Sequence, residues 1–183
     1  MQEGFRARLR DRVLNYDERI AQLRARAAAS SKPNAVFHGF SDAAEQSIAS
    51  LRERLDPRQL DRAVDMLSRA QTLYLVGLRR SFPIASYMAY AFGKLGVRAI
   101  LIDAVGGMAA EQMSFATPKD TVLAVSFTPY ASETVALAQS VAARQVPLVS
   151  ITDSPFSPLA QIADLWIEVV EANFEGFRSM SAA

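Results

Sequence analysis

Two short stretches of this sequence hold side chains suited to gripping a small anion. The first is Gly77-Leu78-Arg79-Arg80-Ser81, followed by Phe82-Pro83 and a helical pattern. Gly77 permits a tight exit from the apolar run before it, and Ser81 sits where an N-cap hydroxyl can donate outward. The unpaired amides of a helix start, with its dipole, favour negative charge by about 0.3 to 1 kcal/mol. Ser81 could equally do no more than cap its helix, leaving Arg79 and Arg80 in solvent. The second stretch runs from Ser126 to Thr134 and places Ser126, Thr128, Tyr130, Ser132 and Thr134 within nine positions, again where a helix opens. Hydroxyls donate to phosphate oxygens and accept from sugar hydroxyls, and neutral donors suit a ligand that must bind and leave. Ser132-Glu133-Thr134 also fits a plain N-cap with an acidic first turn.

Other candidates carry less. Asp103 with Gly106-Gly107-Met108 reads as a flap or as a structural turn. Thr152, Asp153 and Ser154 close another β-rich run, and Ser157 before Pro158 reads most simply as an N-cap. Trp166 reads as core.

The elements that must position these residues follow from hydrophobic spacing. From residue 72, short β-rich runs alternate with helical ones: 72–76, helix 83–95, 97–102, helix 107–115, 121–126, helix 132–144, 147–151, a short helix near 157–162, and 165–170. The β runs are continuously apolar rather than alternating, as a parallel sheet covered on both faces requires. Right-handed crossovers then give an α/β fold, a three-layer α/β/α sandwich with five parallel strands, for which the flavodoxin-like order 2-1-3-4-5 is expected. That order makes the first and third strands neighbours whose connections leave in opposite directions. Both hydroxyl-bearing loops would then converge on one crevice, at the switch point where ligands collect.

Three helical patterns precede the sheet. Phe5, Leu9, Arg12 or Val13, Tyr16, Ile20, Leu23 and Ala27 recur at three- and four-residue steps, predicting an amphipathic helix over roughly residues 3–29. Its arginine-rich face is either a DNA-contacting arm or a solvated surface that packs on the body or on a second subunit. Residues 30–34 read as a break, so 1–34 is expected to be a helical linker and 35–183 the main domain. Phe37, Phe40, Ala44, Ile48, Leu51 and Leu55 mark a second helix from 35 to 55, and Asp56-Pro57 starts the next one.

Composition bounds the remaining choices. The chain has 183 residues, half of them hydrophobic, which suits one globular domain with an appendage. It contains no Cys, which excludes disulfide frameworks, thiolate metal sites and cysteine nucleophiles, and fits the cytoplasm. No apolar leader or membrane-length run is present. The net charge of +1 conceals polarity: residues 1–34 sum to +4 and the remainder to −3.

Gly77 to Ser81, Ser126 to Thr134, Ile151-Thr152-Asp153-Ser154, Ser157-Pro158-Leu159-Ala160 and Ala163-Asp164 together resemble the sugar isomerase (SIS) domain, in the form found in RpiR/MurR-type bacterial transcriptional regulators. The resemblance covers residues 35–179, and Phe177-Arg178-Ser179 matches a family stretch after the last strand. In that family a helix-turn-helix domain precedes a SIS domain that senses a phosphorylated sugar or sugar acid. The resemblance therefore implies such an effector, a homodimer or tetramer, and operator DNA reached through a domain not in this chain. It implies no cofactor, no metal and no membrane. It carries Ser81 over as a phosphate-binding hydroxyl and Ser126, Thr128 and Thr134 as hydroxyls of the second loop. The expected ligand set is Gly77, Arg80, Ser81, Ser126, Thr128, Tyr130, Ser132 and Thr134, with Arg79, Glu133 and Asp153 as further candidates. One departure stands out. The shorter family pattern is Ser-x-Ser-Gly-x-Thr, whereas Thr128 here is followed by Pro129-Tyr130-Ala131-Ser132 before Glu133-Thr134, a longer loop without glycine.

SIS isomerases need a general base and acid near the sugar carbonyl, work given to Glu and His. The sole His here, His38, lies outside both loops. Glu133 could serve as a lone base, with His38 supplied by a second subunit. Neither a dinucleotide-binding nor a Walker A motif occurs, and one His with scattered acids makes no metal ligand set. The expectation is a non-enzymatic effector-binding domain, with a SIS-type aldose–ketose isomerase or a non-catalytic dimerisation module as alternatives.

Overall fold

The computed structural model describes Ala21, residues 33–174, Phe177, Arg178, Ser181 and Ala182; the helix expected over 3–29, with its basic face, lies outside the described residues apart from Ala21. Helix α1 spans Pro33–Arg54 and α2 spans Pro57–Ser68. The start of α2 follows from its sequence, since Asp56 Oδ1 accepts the Arg58 N–H at 2.9 Å and Pro57 occupies the first helical position. Then come β1 (Leu73–Val76), α3 (Phe82–Lys94), β2 (Ala99–Ile102), α4 (Ala109–Ser114), β3 (Thr121–Val125), α5 (Ser132–Ala143), β4 (Leu148–Thr152) and β5 (Leu165–Glu168).

The five strands form one parallel sheet, as the apolar runs predict, in the expected order β2-β1-β3-β4-β5. Every residue of β1 and β3 is buried. Leu73, Leu75, Leu123, Val149 and Leu165 face a layer built on Ala63, Met66 and Leu67 of α2 and Met88, Ala89 and Phe92 of α3. Tyr74, Val76, Val122, Ala124 and Leu148 face the other layer, with Met113 of α4 and Leu137, Ala138 and Val141 of α5. Each fully buried Leu or Val contributes roughly 1.5 to 3 kcal/mol over its exposed state, so the sheet is a firm platform for the loops at its edge.

Three expectations change. Residues 157–162 form separate turns rather than a helix. The Ile162 N–H bonds the Leu159 carbonyl, three residues back, which interrupts the four-residue ladder. Ser157 accordingly heads a turn and is no helix N-cap: its hydroxyl accepts the Leu159 N–H at 3.2 Å and the Thr152 hydroxyl at 2.7 Å. Trp166 is only half-buried, because β5 is an edge strand with one neighbour. The strand expected from Val97 begins at Ala99: Gly96 takes φ +74° and the Val97 N–H closes back on the Phe92 carbonyl at 2.9 Å, extending the end of α3.

The chain divides into two compact units. The sheet with α2 to α5 belongs to residues 51–170. The other unit joins α1 up to Ser50 with the segment from Glu171 to Ala182. There a short antiparallel pair, β6 (Asn173–Phe174) with β7 (Phe177–Arg178), sets the Phe174 ring edge-on to Phe40 at 5.1 Å. Gly39 leaves room for that ring. The buried Ser47 hydroxyl donates to the Ala43 carbonyl and accepts the Ala172 N–H.

Candidate functional site

Strands β1 and β3 lie side by side, and their carboxyl ends release the two hydroxyl-bearing loops in opposite directions. The β1 loop leads to α3 on one face of the sheet and the β3 loop to α5 on the other. This is the switch-point crevice of an open α/β sheet.

The first loop folds tightly against the second strand end. At Gly77 a Cβ would stand 3.0 Å from the Ser81 carbonyl oxygen and 3.2 Å from that of Val125, so glycine is needed there for close approach and not for a positive φ. Arg79 takes the left-handed conformation instead, with φ +56°. Residues 79–81 form a 3-10 turn that runs into α3. This corrects the expectation of open amides at the helix start. The Ser81 and Phe82 N–H groups bond the Leu78 and Arg79 carbonyls, and Pro83 has no N–H. Ser81 is buried at the N-cap position, yet its side chain makes no capping bond, so the plain capping role does not account for its hydroxyl.

Three ties lock this loop to the second. The Leu78 N–H donates to Thr134 Oγ1 at 3.2 Å, and Thr134 is wholly buried. Arg79 Nη2 reaches both Glu133 oxygens, at 3.0 and 3.2 Å. The Arg80 guanidinium lies 5.7 Å from the centroid of the buried Phe127 ring, a cation–π arrangement. Phe127 and the Leu78 amide belong to the site although neither is among the expected ligand residues. The only available signal for Phe127 was a large apolar residue inside a polar loop.

Within the second loop, the Ser126 hydroxyl accepts the Ala131 N–H at 3.1 Å and closes the turn. The loop contains a cis Thr128–Pro129 bond. Asp153, after β4, gathers its middle: Oδ2 accepts the Thr128 N–H at 3.2 Å, and Oδ1 accepts the Tyr130 hydroxyl at 2.9 Å and that of Thr128 at 3.4 Å. Burial pushes the Tyr130 pKa up; Asp153 adds to the rise and a hydrogen bond with Thr128 opposes it. The phenol therefore remains a donor at neutral pH. Ser132 is the first residue of α5 rather than its N-cap, which is Ala131, and the Ser132 hydroxyl donates to Glu133 Oε2 at 3.1 Å. The Glu133 carboxyl is held below the usual range by its own backbone N–H, then by Arg79 and Ser132.

All of the expected ligand residues thus meet at one end of the sheet, in three linked groups: Gly77 to Ser81, Ser126 to Thr134, and Asp153. The site offers two guanidinium groups, several hydroxyls and two carboxylates, a set that can hold an anionic group and hydrogen-bond a polyol. Asp103 serves its own turn, accepting the Val105 N–H and the Gln112 side chain. Among the described residues no group of three or more His, Asp or Glu side chains is placed to hold a metal ion, and no helix is long and apolar enough to cross a membrane.

Comparison with solved structures gives the same architecture. The sugar isomerase domain of an RpiR transcription factor from Sphaerobacter thermophilus superposes with a TM-score of 0.74 at 24% identity, covering 78% of this chain and 80% of that one. The Vibrio vulnificus NanR protein complexed with ManNAc-6P gives 0.67 at 22% identity, over 84% of this chain and 56% of NanR, so this chain spans just over half of that protein. The c3406 protein of E. coli CFT073, in complex with a phosphosugar, gives 0.64 at 20% identity, over 79% of this chain and 78% of that one. No curated protein sequence matches significantly. The SIS domain family model matches residues 66–183, which takes in the whole sheet and both loops, and the chain belongs to the SIS domain family.

Proposed function

We propose that this chain is the effector-sensing part of an RpiR-type transcriptional regulator of carbohydrate metabolism, and that it binds a phosphorylated sugar or sugar acid between the 77–81 and 126–134 loops. The observation that carries the reading is the interlocked pair of loops at the β1–β3 switch point, which brings Arg79, Arg80, Ser81 and the second loop's hydroxyls to one place. Similar folds in complex with phosphosugars, ManNAc-6P among them, support a phosphosugar as ligand, and the likeness to an RpiR domain supports a regulatory role.

In this reading the phosphate lies by Ser81 and the arginines, and the sugar hydroxyls exchange bonds with Thr128, Tyr130 and Asp153. The protein works in the cytoplasm as a homodimer or tetramer. Ligand binding changes how the subunits pack, and so repositions helix-turn-helix domains, outside these residues, on operator DNA. Such a shift requires that the ligand bind the two arrangements with different affinity. Catalysis is not part of the proposal. Glu133 is already engaged by Arg79 and Ser132 and has its pKa lowered, which makes it a weak base for moving a carbon-bound proton.

Calorimetry with ManNAc-6P and a panel of pentose and hexose phosphates tests this. A hydroxyl bonded to a charged phosphate contributes about 1.5 to 3 kcal/mol, so Ser81→Ala with Thr128→Ala should weaken the best ligand by at least roughly tenfold. Unchanged affinity would place the ligand elsewhere. Aldose–ketose turnover that disappears in Glu133→Gln would make the protein an isomerase. A dimer that binds no phosphosugar at all would leave only a dimerisation module.

A further inference from the structure

The two arginines of the first loop are held differently. The Arg80 Nε and Nη2 atoms are buried beside the Phe127 ring. Arg79 keeps its side chain 67% exposed, and its Nη2 donates to both oxygens of Glu133, whose side chain is 53% exposed. The backbone beneath Arg79 does not depend on that pair. The Leu78 N–H is bonded to Thr134, and the Ser81 and Phe82 N–H groups close the 3-10 turn on the Leu78 and Arg79 carbonyls. Glu133 is likewise anchored without Arg79. The Ser132 hydroxyl donates to its Oε2, and its own backbone N–H does most to hold its carboxyl below the usual range, ahead of Arg79 and Ser132. The guanidinium can therefore change partner while both loops stay in place and the carboxylate stays charged.

We propose that Glu133 is a resident competitor for the ligand's phosphate: Arg79 passes from the Glu133 carboxylate to the phosphate when the effector binds, and returns when it leaves. This rests on the reading that the phosphate lies beside Ser81 and the arginines; Glu133 then decides how tightly it is held and which class of ligand is admitted. An exposed ion pair is worth little, a factor of up to roughly five in an equilibrium constant, so the exchange is easy in both directions. A phosphate monoester carries a charge of about −1.5 to −2 at neutral pH and offers three oxygens, whereas a carboxylate carries a single charge on two. Trading Glu133 for a ligand's carboxylate replaces one group by its like and gains nothing. Trading it for phosphate gains charge, and the guanidinium fork fits either partner. Glu133 thereby sets a threshold that a phosphosugar passes and a sugar acid without phosphate does not. The exchange also removes one of the three ties between the loops, so the liganded site differs from the unliganded one at a defined contact.

Calorimetry on the full chain with inorganic phosphate, ManNAc-6P, a panel of pentose and hexose phosphates, and gluconate tests the exchange. Glu133→Gln removes the charge and keeps the shape, so it should tighten phosphate and every sugar phosphate that binds by about two- to fivefold. Arg79→Ala should weaken the same ligands. Glu133→Gln added to Arg79→Ala should then bring no gain, because the competition is for Arg79. Gluconate should bind the unmodified chain far more weakly than the sugar phosphates do. Far-UV circular dichroism checks the folding of each variant, and should Glu133→Gln misfold, Glu133→Ala removes the same carboxylate with the same expectation. Sugar phosphates that bind, but no more tightly to the folded Glu133 variant, would overturn the exchange and leave the crevice reading intact. An equal gain with and without Arg79 would reduce Glu133 to a repelling charge and overturn it too, as would gluconate binding as tightly as the sugar phosphates. If neither phosphate nor any sugar phosphate binds the unmodified chain or the Glu133 variant, the crevice reading falls and the exchange with it.

Discussion

Replacing Thr134 by Val separates two uses of a hydroxyl that the sequence alone treats as one. Thr134 is wholly buried in the first turn of α5, and its Oγ1 accepts the Leu78 N–H at 3.2 Å across 56 residues of chain. Valine nearly preserves the volume and removes only the acceptor. Leaving a buried donor without its partner costs about 1 to 3 kcal/mol, and because Leu78 is only part-buried the lower half of that range is expected. For a domain of this size each kcal/mol moves the melting temperature by roughly 2 to 4 °C, so a fall of about 2 to 8 °C should follow. The single tryptophan, Trp166, on the edge strand β5, gives a fluorescence signal for urea unfolding. The midpoint should drop with an unchanged slope. Thr134→Ser restores the hydroxyl and loses one methyl, so it should keep the Leu78 tie and fall between the other two. A Thr134→Val protein as stable as the original, but unable to bind phosphosugars, would refute the structural role and put this hydroxyl on the ligand.

Two further predictions concern the same loops. Gly77→Ala should destabilise by about 1 to 3 kcal/mol, because two of its nearest obstacles are the backbone oxygens of Ser81 and Val125, which cannot swing aside as a side-chain tip could. An unchanged urea midpoint would mean that the loop gives way. The Tyr130 phenol should titrate above its ordinary value of 10.0, chiefly through burial; its folded pKa exceeds the unfolded one, so its stabilisation is complete below 10.0 and lost as pH rises through the folded value. In Asp153→Asn the midpoint, followed by NMR of the ring Cζ, should move down toward 10.0, and no movement would disconnect Asp153 from the phenol.

Continuous apolar runs such as Leu73–Val76 and Thr121–Val125 made the sheet readable, since only a strand covered on both faces can be apolar at every position. Alternation of strand and helix implied a parallel sheet, whereas its order, and with it the meeting of the two loops, rested on likeness to the flavodoxin-like arrangement. The 157–162 segment misled because its composition suits a helix, whereas its path is set by the Ser157–Thr152 bond and by isolated turns. The pairing of β6 with β7 gave no sign in the sequence, because two-residue strands carry no periodicity.

Hydrogen-bond partners were the least readable feature, and they decide what the site can do. A hydroxyl's type says that it can bond phosphate, but its partner depends on which loops pack together. Ser126 and Thr134 accept backbone N–H groups, Thr128 and Tyr130 donate to Asp153, and Ser132 donates to Glu133. The longer second loop, lacking glycine, is held in shape by these bonds. A ligand that recruits Thr128 or Tyr130 must therefore draw them away from Asp153, and it gains only the difference between the new bonds and the old. Ser81 has no such exchange to make with its helix, since its side chain forms no capping bond. The loss of affinity in the Ser81→Ala, Thr128→Ala pair should accordingly come mostly from Ser81. Single variants measured by calorimetry would show the reverse order if the loop bonds to Asp153 are too weak to matter.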